Sequence, residues 1–313
     1  MLKLAKKFGY LPYMVERYFH FLGEQQAKEL LIANEKPLTP TIRVNTLKID
    51  KDLLRVRLKN KGYDLESIEN VPYGYKVLNI ASNLGSSHEY LQGYYYIQNY
   101  ASMLPAIVLN PNPGDTVIDM CAAPGSKATQ LAQIMGNEGI LHLIDRNQNR
   151  IPALRTNIDR MGVLNSIILN YDSKNLPKLN IKADKILLDA PCTGEGLINQ
   201  DPSRKKSKSL SDISKMSKIQ VELLKSGLSS LKSRGTLVYS TCSIGPEENE
   251  VVINKTLKEK ENFEILKMPY QFGVNGLLEY NGKTFMRDMV NAQRLYPHLH
   301  ETIGFFMCLI MKK

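Results

Sequence analysis

The sequence predicts an α/β protein in which a doubly wound, mostly parallel sheet follows a smaller N-terminal α+β domain. From residue 115 onward, short apolar runs alternate with segments whose apolar residues recur at helical spacing, the pattern of a parallel sheet covered by helices on both faces. Asn110–Gly114, rich in proline and asparagine, separates this part from the preceding one. We therefore expect one domain at residues 1–105 and a second at residues 106–313.

The N-terminal domain is expected to combine helices with short strands. Apolar residues in Tyr13–Leu31 recur at helical spacing on either side of Gly23, and Thr41–Thr46 alternates its faces like a strand. Asp50 is a predicted N-cap for the helix that follows. The tyrosines at 90, 94, 95, 96 and 100 either stack on bases or, as we favour, line a half-buried sheet face. We expect a small β-α-β sheet of the kind that binds RNA.

The second domain is predicted to alternate strands and helices to its end. The expected strands are Thr116–Met120, Ile140–Ile144, Ile167–Leu169, Ile186–Leu188, Thr236–Tyr239, Phe263–Leu266 and Gly304–Met311. Helices are expected from Lys127 to a C-cap at Gly136, from Ile151 to Gly162, and from Asp212 to Lys232. Ligands of such sheets bind at the carboxyl ends of the strands, so residues just after each strand are the candidate site residues.

The turn after the first of these strands is the first candidate. Cys121–Ser126 consists of small residues between a strand and a helix, and its Gly125 lets a ligand approach the backbone closely. Alone, this pattern also fits a turn without a ligand. Asp145 ends the next strand twenty residues later (145 minus 125) and is typical of a carboxylate that binds ribose hydroxyls. Because no G-x-G-x-x-G phosphate cradle is present, the pair favours S-adenosylmethionine over NAD.

Charge and hydropathy indicate the class of partner. The chain of 313 residues has a formal net charge of +10, which favours a polyanionic partner. Residues 201–218 hold six basic and two acidic residues. Their Arg204, Lys205, Lys206 and Lys208 are expected to hold RNA, the alternative being a solvated surface loop. The longest apolar run, Phe305–Met311, is too short to span a membrane, and the N-terminus lacks the apolar core of a signal peptide.

Four cysteines, at 121, 192, 242 and 308, form no C-x-x-C pair. Neither zinc nor a disulfide framework is therefore expected, no other metal is indicated, and a reducing, cytoplasmic location fits best. Cys121 as a small loop residue and Cys308 inside an apolar strand are expected to be structural.

Cys192 and Cys242 instead follow strand ends, in Asp189–Gly196 and Tyr239–Pro246. One such cysteine would more often be structural, but two on neighbouring strands beside a methyl donor suit methylation of cytosine C5. That reaction needs a thiolate to add to C6, and one thiol could attack while the other assists release. Asp189 could protonate N3 if burial raises its pKa. The residues alone do not rank the two thiols.

The motifs Asp119–Lys127, Asp189–Gly194 and Ser240–Ser243 resemble the three signature motifs of the NOP/Sun-type RNA (cytosine-5)-methyltransferases. The resemblance extends from Arg43–Thr46 to Arg294–His298 and Gly304–Phe306, and so covers nearly the whole chain. It implies a Rossmann-like methyltransferase sheet and an S-adenosylmethionine-dependent enzyme that acts on RNA.

The resemblance also implies roles for single residues. In that family the cysteine of the Thr-Cys motif, here Cys242, is the nucleophile, and the cysteine of the Pro-Cys motif, here Cys192, assists product release. Asp189 and Lys127 would lie at the target base and the methionine end of the cofactor. The residues implied to bind S-adenosylmethionine are Cys121, Ala122, Ala123, Pro124, Gly125, Ser126, Lys127, Asp145, Arg150, Asp172 and Asp189.

Two departures from the family bear on the substrate. Glu195 stands where many members have a small residue, and no further RNA-binding domain is expected after residue 313. The second feature resembles the short tRNA-modifying members, so tRNA is favoured, rRNA is the alternative, and target selection falls to residues 1–105 and 201–218. Amino-group methylation is disfavoured because Asp189–Cys192 is not an Asp/Asn-Pro-Pro-aromatic motif. A non-catalytic RNA-binding or assembly factor would be favoured only if either cysteine were missing.

Overall fold

The computed structural model describes residues 1–79, 83–258 and 260–313. The α-helices are α1 (Leu2–Phe8), α2 (Pro12–Ala33), α3 (Lys51–Asn60), α4 (His88–Leu91), α5 (Tyr100–Leu109), α6 (Ser126–Ile134), α7 (Ile151–Met161), α8 (Leu210–Ser230), α9 (Glu250–Leu257) and α10 (Pro297–His300). The strands are β1 (Thr41–Val44), β2 (Asp64–Ser67), β3 (Gly74–Asn79), β4 (Tyr95–Ile97), β5 (Thr116–Asp119), β6 (Ile140–Asp145), β7 (Ser166–Asn170), β8 (Ala183–Asp189), β9 (Leu231–Thr241), β10 (Phe263–Leu266), β11 (Val274–Asn275), β12 (Glu279–Tyr280), β13 (Lys283–Thr284), β14 (Gln293–Leu295) and β15 (Phe305–Lys312).

The larger sheet is the mostly parallel, doubly wound sheet that the sequence predicts. Its strand order is β11-β14-β15-β9-β8-β5-β6-β7, with β10 also paired to β15. Strands β7, β6, β5, β8 and β9 are parallel to one another, and β15 joins β9 in the antiparallel sense. The chain moves from β5 outward to β6 and β7, then returns to the other side of β5 for β8 and β9. The strand order therefore reverses between β5 and β8, and the crevice at the carboxyl ends of these strands is the usual position of a ligand.

Apolar side chains of the sheet alternate between two covered faces. Val117 and Leu187 pack in a core with α5, α6 and α7, whereas Ile118 and Ile186 pack in a second core with α8 and α9. Because both faces are covered, the central parts of these strands are apolar runs, which is why their positions could be predicted from the sequence.

Several predicted helix boundaries are confirmed. The Asp50 side chain accepts hydrogen bonds from the first turn of α3, and Gly162 ends α7 in the left-handed conformation with a φ of 73°. Gly23 interrupts the helical conformation of α2 with a φ of 80°. Helix α6 ends at Ile134, and the predicted cap Gly136 lies in the turn that follows.

The smaller sheet has the order β2-β3-β1-β4, and its paired strands are antiparallel. Ile42 and Val44 of β1 pack on the core beneath α3, while Arg43 points the other way and donates hydrogen bonds to α6. The side chains of β1 alternate between two faces as predicted, and both faces are buried because the second domain covers the outer one. Tyr95 and Tyr96 are buried, which agrees with the sheet-face interpretation of the tyrosines.

The N-terminal helices α1 and α2 pack away from the smaller sheet. Their apolar residues share a core with Ile198, Ile244 and Tyr296 of the second domain. Helix α5 spans the boundary expected between residues 105 and 106, and that boundary stays a prediction. Among the described residues, no helix is both long enough and apolar enough to cross a bilayer.

Candidate active site

A cleft of about 340 Å³ opens at the carboxyl ends of the parallel strands. The residues predicted from the sequence that line it are Cys121, Ala123, Asp145, Arg150, Asp172, Asp189, Cys192 and Cys242. Arg146, Asn147, Ile219 and Leu223 also line it and were not singled out from the sequence. The cleft lies where the strand order reverses, so topology and cavity indicate the same site.

The thiols of Cys192 and Cys242 lie side by side, with their Sγ atoms 3.0 Å apart. Strands β8 and β9 are neighbours, so their carboxyl ends bring the two cysteine loops together. The hydrogen bond with Cys242 and burial both raise the pKa of the Cys192 thiol well above its ordinary value. Cys192 is therefore protonated at neutral pH and can donate its S–H to the sulfur of Cys242.

Glycines allow the two cysteine loops to touch. The Gly196 amide donates to the Cys242 carbonyl at 2.9 Å, and the Gly304 amide donates to the Gly196 carbonyl at 2.8 Å. A Cβ on Gly196 would collide with both the Gly304 and Cys242 carbonyls. Gly194 has a φ of +73°, and a side chain there would meet the Arg204 guanidinium. Both positions therefore require glycine.

Asp189, the last residue of β8, is held between a lysine and a serine. Its Oδ2 accepts a hydrogen bond from Lys127 Nζ at 2.7 Å, and its Oδ1 accepts one from Ser240 Oγ at 2.8 Å. Lys127 Nζ also donates to Ser102 Oγ at 2.8 Å. The role expected of Asp189 at N3 of the base stays a prediction, and the structure shows a lysine in contact with this carboxyl group. Burial and the nearby charge of Asp189 raise the pKa of Asp119 to about 7.

Asp145 ends β6 and is 3% exposed. Its carboxylate accepts hydrogen bonds from the amides of Ala123 and Asn147 at 3.1 and 2.9 Å, and from Arg150 Nη1 at 3.3 Å. These contacts join the turn after β5 to the end of β6. Asp172, which follows β7, also borders the cleft, so two carboxylates lie along this part of its wall.

The other predicted cofactor residues shape the turn between β5 and α6. The Ala122 amide donates to a β6 carbonyl at 2.9 Å, and the Pro124 carbonyl accepts from Asn157 at 2.9 Å. Gly125 has a φ of 111°, and a Cβ there would lie 3.2 Å from a side-chain carbon of α7. The Ser126 carbonyl accepts from the buried Arg43 at 3.3 Å. These residues hold the turn, while their neighbours Cys121 and Ala123 face the cleft.

A family model described as 16S rRNA methyltransferase RsmB/F matches residues 106–311, which include every cleft residue named above. The chain belongs to the RsmB/F methyltransferase family. A second model, described as the N-terminal domain of 16S rRNA methyltransferase RsmF, matches residues 11–100.

The relatives of this RsmB/F family member are named for different RNA substrates. The chain is 38% identical over 311 residues to the 25S rRNA (cytosine-C(5))-methyltransferase nop2 of Schizosaccharomyces pombe, covering 97% of this chain and 51% of that protein. It is 33% identical over 301 residues to the tRNA (cytosine(49)-C(5))-methyltransferase of Pyrococcus abyssi, covering 96% and 95%. The predicted resemblance is confirmed, although the chain spans only about half the length of relatives such as nop2.

A solved structure shares the whole fold. The methyltransferase homolog protein from Pyrococcus horikoshii is 40% identical, with a TM-score of 0.91, over 100% of this chain and 98% of that one. The predicted fold class, a Rossmann-like methyltransferase sheet with a smaller N-terminal domain, is confirmed.

Glu195, the departure noted in the sequence, is buried against Arg17 of α2. Arg17 Nη1 lies 2.5 Å from Glu195 Oε1, and its Nη2 lies 2.6 Å from Glu247 Oε2. The N-terminal helix is thereby attached to the loop of Cys192. The two ends of this contact are 178 residues apart, and no spacing in the sequence indicates the pairing.

The basic segment of residues 201–218 divides into three parts in this RsmB/F family member. Arg204 lines the cleft and donates from Nη1 to the Thr193 carbonyl at 3.0 Å. Lys205 forms a 2.6 Å ion pair with Glu35 and lies over the ring of Tyr10. The charge of Lys205 is thus paired within the fold, and its predicted contact with RNA stays a prediction. The last two predicted cations, Lys206 and Lys208, are exposed.

Proposed function

We propose that this protein transfers a methyl group from S-adenosylmethionine to C5 of a cytosine in RNA, with tRNA as the substrate. The observation that carries the proposal is the pair of thiols 3.0 Å apart in the same cleft as Asp189, which Lys127 contacts. Residues 106–313 would carry out the reaction, and residues 1–105 would contribute to RNA binding. Both cysteines are present, which disfavours a non-catalytic RNA-binding or assembly factor.

In the proposed reaction, Cys242 adds as a thiolate to C6 of the cytosine and so makes C5 nucleophilic. The Lys127 ammonium donates a hydrogen bond to N3 as negative charge develops there, and the Asp189 carboxylate accepts one from the amino group of the base. S-adenosylmethionine, when bound, supplies the electrophilic methyl group. Once solvent water has taken the C5 proton, Cys242 departs from C6, and the protonated Cys192 stabilises the departing sulfur.

The side chains that line the cleft fit S-adenosylmethionine. Asp145 and Asp172 present carboxylate oxygens, which accept hydrogen bonds from ribose hydroxyls or from an amino group. Ile219 and Leu223 give apolar surface to the same cleft, which suits one face of a purine. We propose that these residues hold the nucleoside, while Lys127 and Asp189, which contact each other, lie between the methionine end of the cofactor and the target base.

Asp145→Ala is expected to weaken binding of S-adenosylmethionine about ten- to a hundredfold, because each hydrogen bond to a charged partner contributes about 1.5–3 kcal/mol. The variant also loses the contacts to Ala123 and Arg150, which acts in the same direction. Calorimetric titration measures the affinity, with Asp159→Ala, an exposed aspartate of α7, as the matched control. An unchanged affinity for Asp145→Ala would remove this residue from the cofactor site, and RNA affinity should change little in either variant.

The choice of tRNA is supported by one relative named for that substrate, the tRNA (cytosine(49)-C(5))-methyltransferase of Pyrococcus abyssi, which is 33% identical. The relative nop2 is named for 25S rRNA instead. The names of both family models favour rRNA as the alternative. Incubation of the protein with labelled S-adenosylmethionine and separated tRNA and rRNA distinguishes them, and bisulfite sequencing of RNA from a deletion strain locates the base. Label only in rRNA would replace the tRNA assignment, and label in neither would overturn the enzymatic proposal.

The site requires reduced cysteines, because a bond between Cys192 and Cys242 would remove both thiols. The cysteines of the described chain are free. We therefore propose that the protein works in a reducing compartment such as the cytoplasm. Cell fractionation with an antibody tests this, and recovery in an oxidising compartment would contradict it.

The double variant Lys206→Ala/Lys208→Ala is expected to lower RNA affinity and to flatten its dependence on salt. Each lost phosphate contact reduces the slope of log affinity against log salt by about 0.7–0.9, so the pair should reduce it by about 1.4–1.8. A titration over several salt concentrations measures the slope. Lys205 is left unchanged because its ion pair with Glu35 belongs to the fold.

The matched control for this pair is Lys255→Ala/Lys258→Ala. These exposed lysines lie at the end of α9, which starts at the carboxyl edge of the sheet and runs away from it. The control removes the same charge and should leave the slope as it was. Equal slopes for the unchanged protein and the Lys206/Lys208 variant would mean that this part of the segment is only a solvated loop.

A further inference from the structure

Glu248 is a fully buried carboxylate between the two cysteine loops. It ends the short turn that follows the loop of Cys242. Its Oε1 accepts a hydrogen bond from the Thr193 amide at 2.9 Å, and its Oε2 accepts one from Thr193 Oγ1 at 2.5 Å. The residue directly after Cys192 is therefore bound twice by one carboxylate.

The residue before Cys192 is attached to the same carboxylate through Gln220 of α8. Gln220 Nε2 donates to the Pro191 carbonyl at 2.9 Å and to Glu248 Oε1 at 3.0 Å. The Tyr239 hydroxyl of β9 donates to the Glu248 carbonyl at 2.5 Å and so fixes the turn against the strand that leads to the other cysteine. The residues on both sides of Cys192 are thus linked to Glu248, which lies in the segment that follows Cys242.

A carboxylate suits this position because it has only acceptors. Three donors, from Thr193 and Gln220, converge on its two oxygens, and hydrogen bonds to an ionised acceptor are about twice as strong as neutral ones. Buried donors left without an acceptor are costly, so loss of Glu248 would favour movement of the Cys192 loop. The cleft itself gains nothing from the charge, since Glu248 does not line it.

We propose that Glu248 is a positioning residue for product release, which holds the Cys192 thiol within hydrogen-bond reach of Cys242. The inference rests on the proposed function. In the release step solvent water takes the C5 proton, the electrons of the C5–H bond re-form the C5=C6 double bond, and the C6–S bond breaks with its electron pair moving to Cys242 Sγ. Cys192 donates its S–H to that sulfur. A displaced Cys192 therefore slows release and leaves the earlier attack by Cys242 intact.

Glu248→Ala is expected to raise the amount of covalent RNA–protein adduct about tenfold, the scale of one lost hydrogen bond to a charged acceptor. Glu248→Gln keeps the shape, can accept through Oε1 and can donate from Nε2 to Thr193 Oγ1, so it should restore most of the release. Thr193→Val loses only the hydroxyl contact and should give an intermediate amount. Denaturing gels after incubation with RNA and S-adenosylmethionine measure the adduct.

Glu247→Ala is the matched control. It truncates a carboxylate of the same turn that binds Arg17 and Tyr280 instead of the Cys192 loop, and it should leave the adduct at the level of the unchanged protein. If Cys192→Ala traps an adduct but neither Glu248→Ala nor Thr193→Val does, the positioning role is overturned and the proposed function stands. If Cys192→Ala also traps none, the covalent mechanism itself fails. If Glu248→Ala does not fold, the amount of adduct formed by Thr193→Val decides whether the positioning role holds.

Discussion

Cys242→Ala is expected to abolish methylation and to leave no covalent RNA adduct, whereas Cys192→Ala is expected to attack the base and then retain it. Loss of the nucleophile removes the route through C6 altogether, so the rate should fall at least about a thousandfold. Loss of Cys192 should instead give an adduct that survives denaturing electrophoresis, with turnover slowed at release.

The geometry gives the physical reason for the difference. The two Sγ atoms are 3.0 Å apart, and the contact with Cys242 together with burial raises the pKa of Cys192. A protonated Cys192 is a poor nucleophile but a suitable donor to a thiolate that is leaving C6. The two thiols are therefore expected to act in successive steps.

Cys308→Ala is the matched control, since Cys308 is a buried cysteine of β15 and does not line the cleft. It should methylate at the rate of the unchanged protein. An adduct that accumulates with Cys242→Ala and disappears with Cys192→Ala would reverse the two roles. No adduct with either variant would exclude a covalent mechanism.

Most of the second domain could be predicted because its signals are local. A strand covered on both faces is a short apolar run, and a helix such as α7 combines an apolar face with a terminal glycine, Gly162. The cleft could also be predicted, because parallel neighbouring strands place their carboxyl ends at one edge. Asp189 ends β8, Cys192 and Cys242 follow the ends of β8 and β9, and all three line one cleft.

The contacts that support the cleft could not be predicted, because their partners are far apart in sequence. Arg17 reaches Glu195, Lys205 reaches Glu35, and Glu248 reaches back to Thr193. We assigned Lys205 to RNA from the local excess of positive charge, because a sequence does not show which cations form ion pairs within the fold. The burial of β1 on both faces has the same origin, because the covering helix α6 belongs to the other domain.

Arg294 is a buried cation that contacts the segment following Cys242. It is 1% exposed, and it donates to Glu250 Oε1, to the Ile244 carbonyl and, at 2.5 Å, to the Tyr296 hydroxyl. Although burial alone would lower the pKa of Arg294, the attraction of Glu250 raises it well above its ordinary value. Arg294 therefore stays charged, and Ile244, two residues after Cys242, is held by it.

Arg294→Met is expected to lower the free energy of unfolding by about 3–5 kcal/mol, because it leaves the buried carboxylate of Glu250 without a cationic partner. Denaturant titration measures this loss. Glu250→Gln removes the stranded charge and keeps an acceptor for the Leu277 amide, so the double variant should recover about half of the loss. Lys232→Met is the control, since it breaks an exposed ion pair with Asp184 and should cost less than about 1 kcal/mol. If Arg294→Met lowers the free energy of unfolding no more than Lys232→Met does, the buried ion pair does not stabilise the segment after Cys242. Packing alone would then hold Ile244 in place.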